Sequence, residues 1–329
     1  MSTPVALILF FASLAATLVA SALFARRLDR LGARLGIHEA VLGLLTALAA
    51  DGPELSSGLT AMLRGERGVG VGVLLGSNIF NLAAMVGVSA LLAGSVRLER
   101  PALALEGTFA LFATAVTAAV LFAGVEPWIA LGVFAAGAVP YLILLARGTF
   151  HGPLPPREPA PAVASAAVAG APSPAGRAMQ VVGLFVRELP ALVVIIAGSI
   201  GMVYSAVLVA GRWGVPRPLV GLLLLATLTS LPNAYTAIRL GLAGRGAALV
   251  SEALNSNTIN LSMGILVPAV VVSAARGGAG FGLDYLWMVA VTVATLALVG
   301  RRNGAGRLAG AAIVGSYVAY VAVRIATTV

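Results

Sequence analysis

The chain has 329 residues, of which 60% are hydrophobic and 10% charged. A soluble domain carries roughly 25% charged residues, so a soluble enzyme, a disordered chain and a secreted disulfide scaffold are excluded, and a polytopic helical membrane protein is left. The net charge of +9 does not mark a nucleic-acid binder, because all 21 basic residues are Arg and they are scattered between apolar runs; cysteine is absent, which removes disulfides, thiolate metal sites and a Cys nucleophile.

Ten apolar runs follow one another, at approximately 4–25, 38–62, 69–94, 102–123, 127–146, 189–211, 216–240, 247–274, 283–300 and 308–327. They are too long for strands, since a membrane barrel shows segments of about ten alternating residues. The first run lacks a basic n-region and a small-residue cleavage site, and reads as a retained span. Between the fifth and sixth runs, residues 148–178 are rich in Pro and Ala and read as a cytoplasmic linker that packs no core. The expected organisation is therefore a first membrane repeat at 1–147, the linker, and a second repeat at 179–329.

Threading the runs alternately through a bilayer sorts the arginines. Six (Arg64, Arg67, Arg212, Arg217, Arg276 and Arg324) fall on one side, here side A, and the other fifteen of the 21 fall on side B. The positive-inside rule makes side B cytoplasmic and leaves both termini outside a cell membrane.

An internal repeat is the strongest signal. A shift of 179 residues overlays the second run on the seventh without a gap: Pro53 meets Pro232, Gly65 meets Gly244, Ser77-Asn78 meets Ser256-Asn257 and Asn81 meets Asn260. Over positions 44–82, twelve of 39 residues are identical. An odd number of spans separates the copies, so they cross the membrane in opposite directions. The expected fold is all-α, about ten transmembrane helices in two inverted five-helix repeats with helices broken at the midplane, where transporters of this architecture bind substrate.

The breaks are Asp51-Gly52-Pro53-Glu54 in one copy and Thr229-Ser230-Leu231-Pro232-Asn233 in the other. Proline removes a backbone donor, and the freed carbonyl needs a partner in lipid. Asp51, Glu54 and Glu252 are the acids deepest in their runs, and such acids are functional candidates by default. Glu39, Glu106 and Asp284 lie near run ends and read as interfacial. Glu252, Ser256 and Asn260 fall at i, i+4 and i+8, one stripe of a helix. Four polar patches thus lie at comparable depth: 51–54, 77–81, 229–233 and 252–260. They offer carboxylates, amide oxygens and hydroxyls, a hard-oxygen set suited to Ca²⁺, Na⁺ or Mg²⁺ rather than zinc or copper. Asn78 and Asn257 by themselves read equally as helix-to-helix hydrogen-bonding groups. His38 and His151 are isolated.

These motifs resemble the calcium/cation antiporter superfamily, the sodium/calcium exchangers in particular, which carry two inverted repeats, each with a Thr-Ser-x-Pro-Glu-like break followed by Gly-Ser-Asn-x-x-Asn/Asp. The second halves of that pattern stand here as Gly76-Ser77-Asn78-Ile79-Phe80-Asn81 and Asn255-Ser256-Asn257-Thr258-Ile259-Asn260. The resemblance implies Glu54, Ser77, Asn81, Thr229, Ser230 and Ser256 as ion-binding positions. It also exposes departures: Asn233 replaces a second Glu, Asn260 an Asp found in many members, and Asp51 a Ser, while Glu252 is an acid where the family is usually neutral. The expectation is that Asp51 and Glu252 supply the charges lost at 233 and 260. The implied activity is secondary active antiport of Ca²⁺ against Na⁺ or H⁺, with inorganic cations and the lipid bilayer as partners, no nucleic acid and no cofactor. The rival readings are a divergent member moving Mg²⁺ or only monovalent ions, a non-transporting membrane scaffold, and an intramembrane enzyme, for which no His or paired second-repeat Asp is placed.

Overall fold

The computed structural model describes residues 1–35, 47–48, 50–147, 174–272 and 278–328. His38, Glu39, Arg276, His151 and most of the expected linker lie outside them. Helix α1 spans Thr3–Leu35, and α2 spans Gly52–Leu63, with Asp51 at its N-terminal end. Next come α3 (Arg67–Ala93), α4 (Arg100–Phe122) and α5 (Pro127–Ala146). The second half holds α6 (Pro174–Trp213), α7 (Arg217–Thr229), α8 (Leu231–Leu242), α9 (Gly246–Leu261, prolonged to Val272), α10 (Gly282–Val299) and α11 (Arg307–Thr328). Helix α6 begins at Pro174, so the last residues of the stretch read as linker are helical.

Among the described residues, eight helices are long and apolar enough to cross a membrane, and α7 with α8 makes a ninth span bent by 46° at Ser230. Large exposed side chains such as Ile8, Phe11, Val193, Leu286 and Val318 ring the bundle, which suits a surface facing lipid.

The repeat is visible in the backbone, residue for residue. Helices α2 and α8 are offset by 179 at both ends, and each has its proline in the first turn, where a missing N–H costs no intrahelical bond. Each ends on a glycine at positive φ, 80° at Gly65 and 72° at Gly244. Equivalent caps close them: Glu66 N–H donates to the Ala61 carbonyl at 2.9 Å, and Arg245 N–H to the Leu240 carbonyl at 2.8 Å. After the Ser-Asn-x-x-Asn signature, both α3 and α9 widen into π-helical turns, at Leu82–Val88 and Ser262–Leu266.

The two copies run in opposite directions. Gly246, at the start of α9, packs on Arg97, just beyond the end of α3. A two-residue antiparallel pairing of β1 (Ser95–Val96) with β2 (Ala305–Gly306) gathers this end of the bundle, which is side B. On the opposite side, Arg217 pairs with Glu66 and Arg212 donates to Thr3 Oγ1 at 2.9 Å.

Helices α3 and α7 cross at backbone contact. A Cβ on Gly76 would lie 2.2 Å from the Leu222 carbonyl oxygen, and one on Gly221 would lie 2.3 Å from the Val69 oxygen. Small residues permit this approach where lipid supplies no hydrophobic drive between helices. Around the crossing, Leu74, Leu75 and Ile79 of α3, Leu222 of α7, and Leu261 and Ile265 beyond it form the central apolar cluster.

Candidate cation site

Both helix breaks sit against this crossing. Asp51 and Ser230 are repeat-equivalent, and both hold bridge-region backbone angles, φ −76°, ψ −3° and φ −86°, ψ −4°. Each starts a new helix, so Glu54 and Asn233 both project from a first turn. Pro232 cannot donate to the Leu228 carbonyl, which leaves a backbone oxygen without its helical partner beside Thr229.

The side chains form one buried network. Asp51 Oδ1 accepts hydrogen bonds from Asn233 Nδ2 and Ser256 Oγ, both at 2.8 Å. Glu54 Oε1 accepts from Ser230 Oγ at 2.6 Å and Asn233 Nδ2 at 3.4 Å, and Glu54 Oε2 accepts from Asn260 Nδ2 at 2.6 Å. Asn81 Nδ2 donates to Ser256 Oγ at 3.0 Å, and Asn260 Nδ2 also reaches Asn78 Oδ1 at 3.0 Å. Ser77 and Asn81 face the Glu54 carboxylate as well. None of Asp51, Glu54, Ser77, Asn81, Ser230, Asn233, Ser256 and Asn260 is more than 2% exposed. The second repeat supplies Ser230, Asn233, Ser256 and Asn260 as donors to the two carboxylates, both of which belong to the first repeat.

Several oxygens in this pocket make no hydrogen bond: Asp51 Oδ2, Ser77 Oγ, Asn81 Oδ1, Asn233 Oδ1 and Asn260 Oδ1. A buried acceptor without a donor is costly. These five, one of them a carboxylate oxygen of Asp51 and the rest from side chains of the same buried network, are hard oxygens, the chemistry that holds Ca²⁺ or Na⁺. The donor set fits a cation.

Not every candidate joins. The Thr229 hydroxyl donates to the Leu225 carbonyl at 2.8 Å, back along α7 and away from the network. Glu252 is partly exposed and lies one turn from Ser256 toward side B. Among the described residues no three acidic or imidazole side chains converge as a metal cluster, so Asp51, Glu54 and Glu252 do not form a triad. Asn78, which sequence reasoning left undecided, is within the network and also donates to the Asn257 carbonyl at 3.2 Å. The signal for it was the Asn that both signatures share.

Two acids read as interfacial are buried instead. Glu106, 2% exposed, accepts from Ser251 Oγ at 2.8 Å, which ties α4 to α9. Asp284, fully buried, accepts from Tyr320 Oη at 2.8 Å and pairs with Arg324 at 2.9 Å. Position near a run end marked them as interfacial, and the neighbouring helices enclosed them.

Residues 5–145 and 185–326 match the sequence profile of the sodium/calcium exchanger protein family. The chain belongs to that family. It is 26% identical to CaxA of Alkalimonas amylolytica over 296 residues, covering 87% of this chain and 88% of CaxA. It is 24% identical to the inner membrane protein YrbG of Escherichia coli K12 over 292 residues, covering 87% and 86% of the two chains. Among solved structures, the H⁺/Ca²⁺ exchanger CAX superposes with a TM-score of 0.72 at 17% identity, covering 95% of this chain and 81% of that one. The sodium-calcium exchanger NCX_Mj gives 0.63 at 17% identity, with 98% and 99% covered. These two likenesses establish the exchanger fold of two inverted five-helix repeats in a multi-pass membrane protein.

Proposed function

We propose that this family member is a secondary active antiporter that exchanges Ca²⁺ for Na⁺ or H⁺ at the pocket between the two helix breaks. The observation that carries the reading is the convergence of unpaired oxygens from Asp51, Ser77, Asn81, Asn233 and Asn260 around the Asp51 and Glu54 carboxylates. One set of oxygens that holds one ion species at a time couples the two fluxes, and inverted repeats give the pocket equivalent routes to both faces. The CAX and NCX_Mj structures are of H⁺/Ca²⁺ and sodium-calcium exchangers, so both driving ions belong in the proposal. Asp51 is placed to replace the charge absent at Asn233, to which it hydrogen-bonds directly. The arginine count supports a cytoplasmic side B with both termini outside.

The test is Ca²⁺ uptake into proteoliposomes preloaded with Na⁺, with a parallel pH-gradient arm and the Glu54→Gln protein alongside. Uptake that needs one of the two gradients and is lost in Glu54→Gln is expected. Folded protein that moves no Ca²⁺ under either gradient would overturn the reading and turn attention to Mg²⁺ and monovalent cations.

A further inference from the structure

Half of the six side-A arginines meet at one place. Arg64, Arg212 and Arg217 line a single cavity of about 460 Å³ together with Glu66, Tyr204 and Leu208. Its size falls within the usual range for small-ligand sites, roughly 300–1,000 Å³. Three elements build it: the turn that closes α2, the C-terminal end of α6 and the first residue of α7. Arg217 pairs with Glu66, the one acid of the lining. Arg212 donates to Thr3 Oγ1 at 2.9 Å and to the Met1 carbonyl, and the Arg64 guanidinium lies over the Tyr204 ring, 5.6 Å from its centroid. Among the described residues, neither Arg64 nor Arg212 has a carboxylate partner. Three arginines against one glutamate leave the cavity positive, on the side of the protein where arginine is otherwise scarce. Like charges gathered in one cavity repel unless an anion lies between them, and the guanidinium fork matches phosphate oxygens.

The cavity also meets the lipid-facing surface. Ile196, Ile200, Tyr204, Leu208 and Arg212 follow one another at four-residue steps, a ridge along α6. Ile196, Ile200 and Tyr204 are exposed, so an apolar lane leads from the middle of the span to the arginines. Trp213, exposed beside Arg212, stands where aromatic side chains anchor a helix at the level of the headgroups. A free anion would use the arginines and leave the lane empty, whereas a phospholipid uses both. We propose that this cavity binds the phosphate headgroup of an anionic phospholipid, with Arg64 and Arg212 on the phosphate and an acyl chain along the α6 ridge. Bound there, the lipid bridges α6 to the end of α2, the helix whose first turn carries Glu54.

The test is thermal unfolding of delipidated, cation-free protein in detergent. It is titrated in separate arms with dioleoylphosphatidylglycerol, with dioleoylphosphatidylcholine and with inorganic phosphate at matched ionic strength. Phosphatidylglycerol is expected to raise the midpoint saturably, and neither of the other two to match it. Arg64→Gln is expected to raise the phosphatidylglycerol concentration needed for half of that shift by about fivefold, the worth of one arginine at an anionic surface. Arg301→Gln, at an exposed side-B arginine outside the cavity, is the control and should leave the titration unchanged. An equal shift with phosphatidylcholine, or an Arg64→Gln titration that overlays the wild type, would overturn the proposal. A shift that inorganic phosphate reproduces would assign the cavity to a free anion and overturn it too. The three wild-type arms decide the matter should the Arg64 variant fail to fold, and no arm depends on cation flux, so the exchanger reading is tested separately.

Discussion

Asp51 and Asn233 hydrogen-bond across the approximate two-fold axis of the repeats at 2.8 Å, and the residues equivalent to them by the 179-residue offset, Ser230 and Glu54, do the same at 2.6 Å. One geometric contact is thus made twice, with a carboxylate on the first-repeat side each time. A symmetric arrangement would place one acid in each half. Here both come from one helix turn of α2, and the inverted turn of α8 answers with a hydroxyl and an amide. The family resemblance leads one to expect a second acid at position 233; Asn233 stands there instead, and the Asp51 carboxylate lies within hydrogen-bonding distance of it.

That pairing separates the three deep acids by role. Asp51→Asn and Glu54→Gln remove pocket charge directly. Each is expected to lower Ca²⁺ uptake by at least about tenfold, the factor that 1.4 kcal/mol of binding supplies. Glu252 stands beside the network, so Glu252→Gln is expected to stay within about threefold of wild type, under 1 kcal/mol on the same scale. Initial rates from proteoliposomes with matched protein content measure all three. A Glu252→Gln protein as inactive as Glu54→Gln would assign the displaced charge to position 252 instead.

Ser77 offers a cleaner test of ligation, because its buried hydroxyl makes no hydrogen bond that folding needs. A hydroxyl left unpaired destabilises the fold, so Ser77→Ala should leave the thermal midpoint of cation-free protein unchanged or slightly raised. If the oxygen binds the ion, the same substitution raises the Ca²⁺ concentration needed for half-maximal uptake by about tenfold, the loss of roughly one charge-assisted contact. The two readouts move in different directions, which a purely structural role would not produce. Unchanged Ca²⁺ dependence would remove Ser77 from the site.

The sequence was most legible where two constraints coincided. Pro53 and Pro232, Gly65 and Gly244, and the paired Ser-Asn-x-x-Asn signatures each answer a backbone demand that both copies share, so the offset read from residue identity is the offset of the helices themselves. What remained hidden depends on rotation about a helix axis. Glu252 and Ser256 share a stripe in sequence, yet Ser256 hydrogen-bonds Asp51 while Glu252, one turn away, is partly exposed. Thr229 stands beside the network, but its hydroxyl turns back to the Leu225 carbonyl. Asp284 and Glu106 sit near span ends, where depth alone suggests water, and partners distant in sequence enclose them. Such partners leave no periodic trace.

The α3–α7 crossing depends on absent side chains. A methyl on Gly76 would meet the Leu222 oxygen at 2.2 Å and the Ala226 Cβ at 2.8 Å, and backbone cannot move aside as a flexible side chain can. Gly76→Ala is expected to destabilise the protein by about 1–3 kcal/mol, the usual range for overpacking, and to reduce uptake because Ser77 is displaced with it. Gly68→Ala, on the same helix with nothing within 4 Å of its Cβ, is the control and should be neutral or slightly stabilising. Thermal unfolding in detergent compares them; an unperturbed Gly76→Ala would mean that the two helices are not in backbone contact.

Asp284, Tyr320 and Arg324 form a buried polar group apart from the Asp51–Glu54 network. Asp284 lies in the first turn of α10, the helix end that favours a negative charge, and Arg324 reaches it from α11. A buried ion pair adds little by itself, but removing one partner strands the other. Arg324→Leu is therefore expected to cost about 3–5 kcal/mol. Tyr320→Phe removes one hydrogen bond to a charged group and should cost about 1.5–3 kcal/mol. The double variant Asp284→Leu with Arg324→Leu should recover most of the loss, since no charge is then left enclosed. A double-mutant cycle by thermal unfolding reads the coupling. Transport by the folded double variant should keep its wild-type Ca²⁺ dependence, because neither residue touches the Asp51–Glu54 network. Loss of transport without loss of stability would instead draw this ion pair into the exchange cycle.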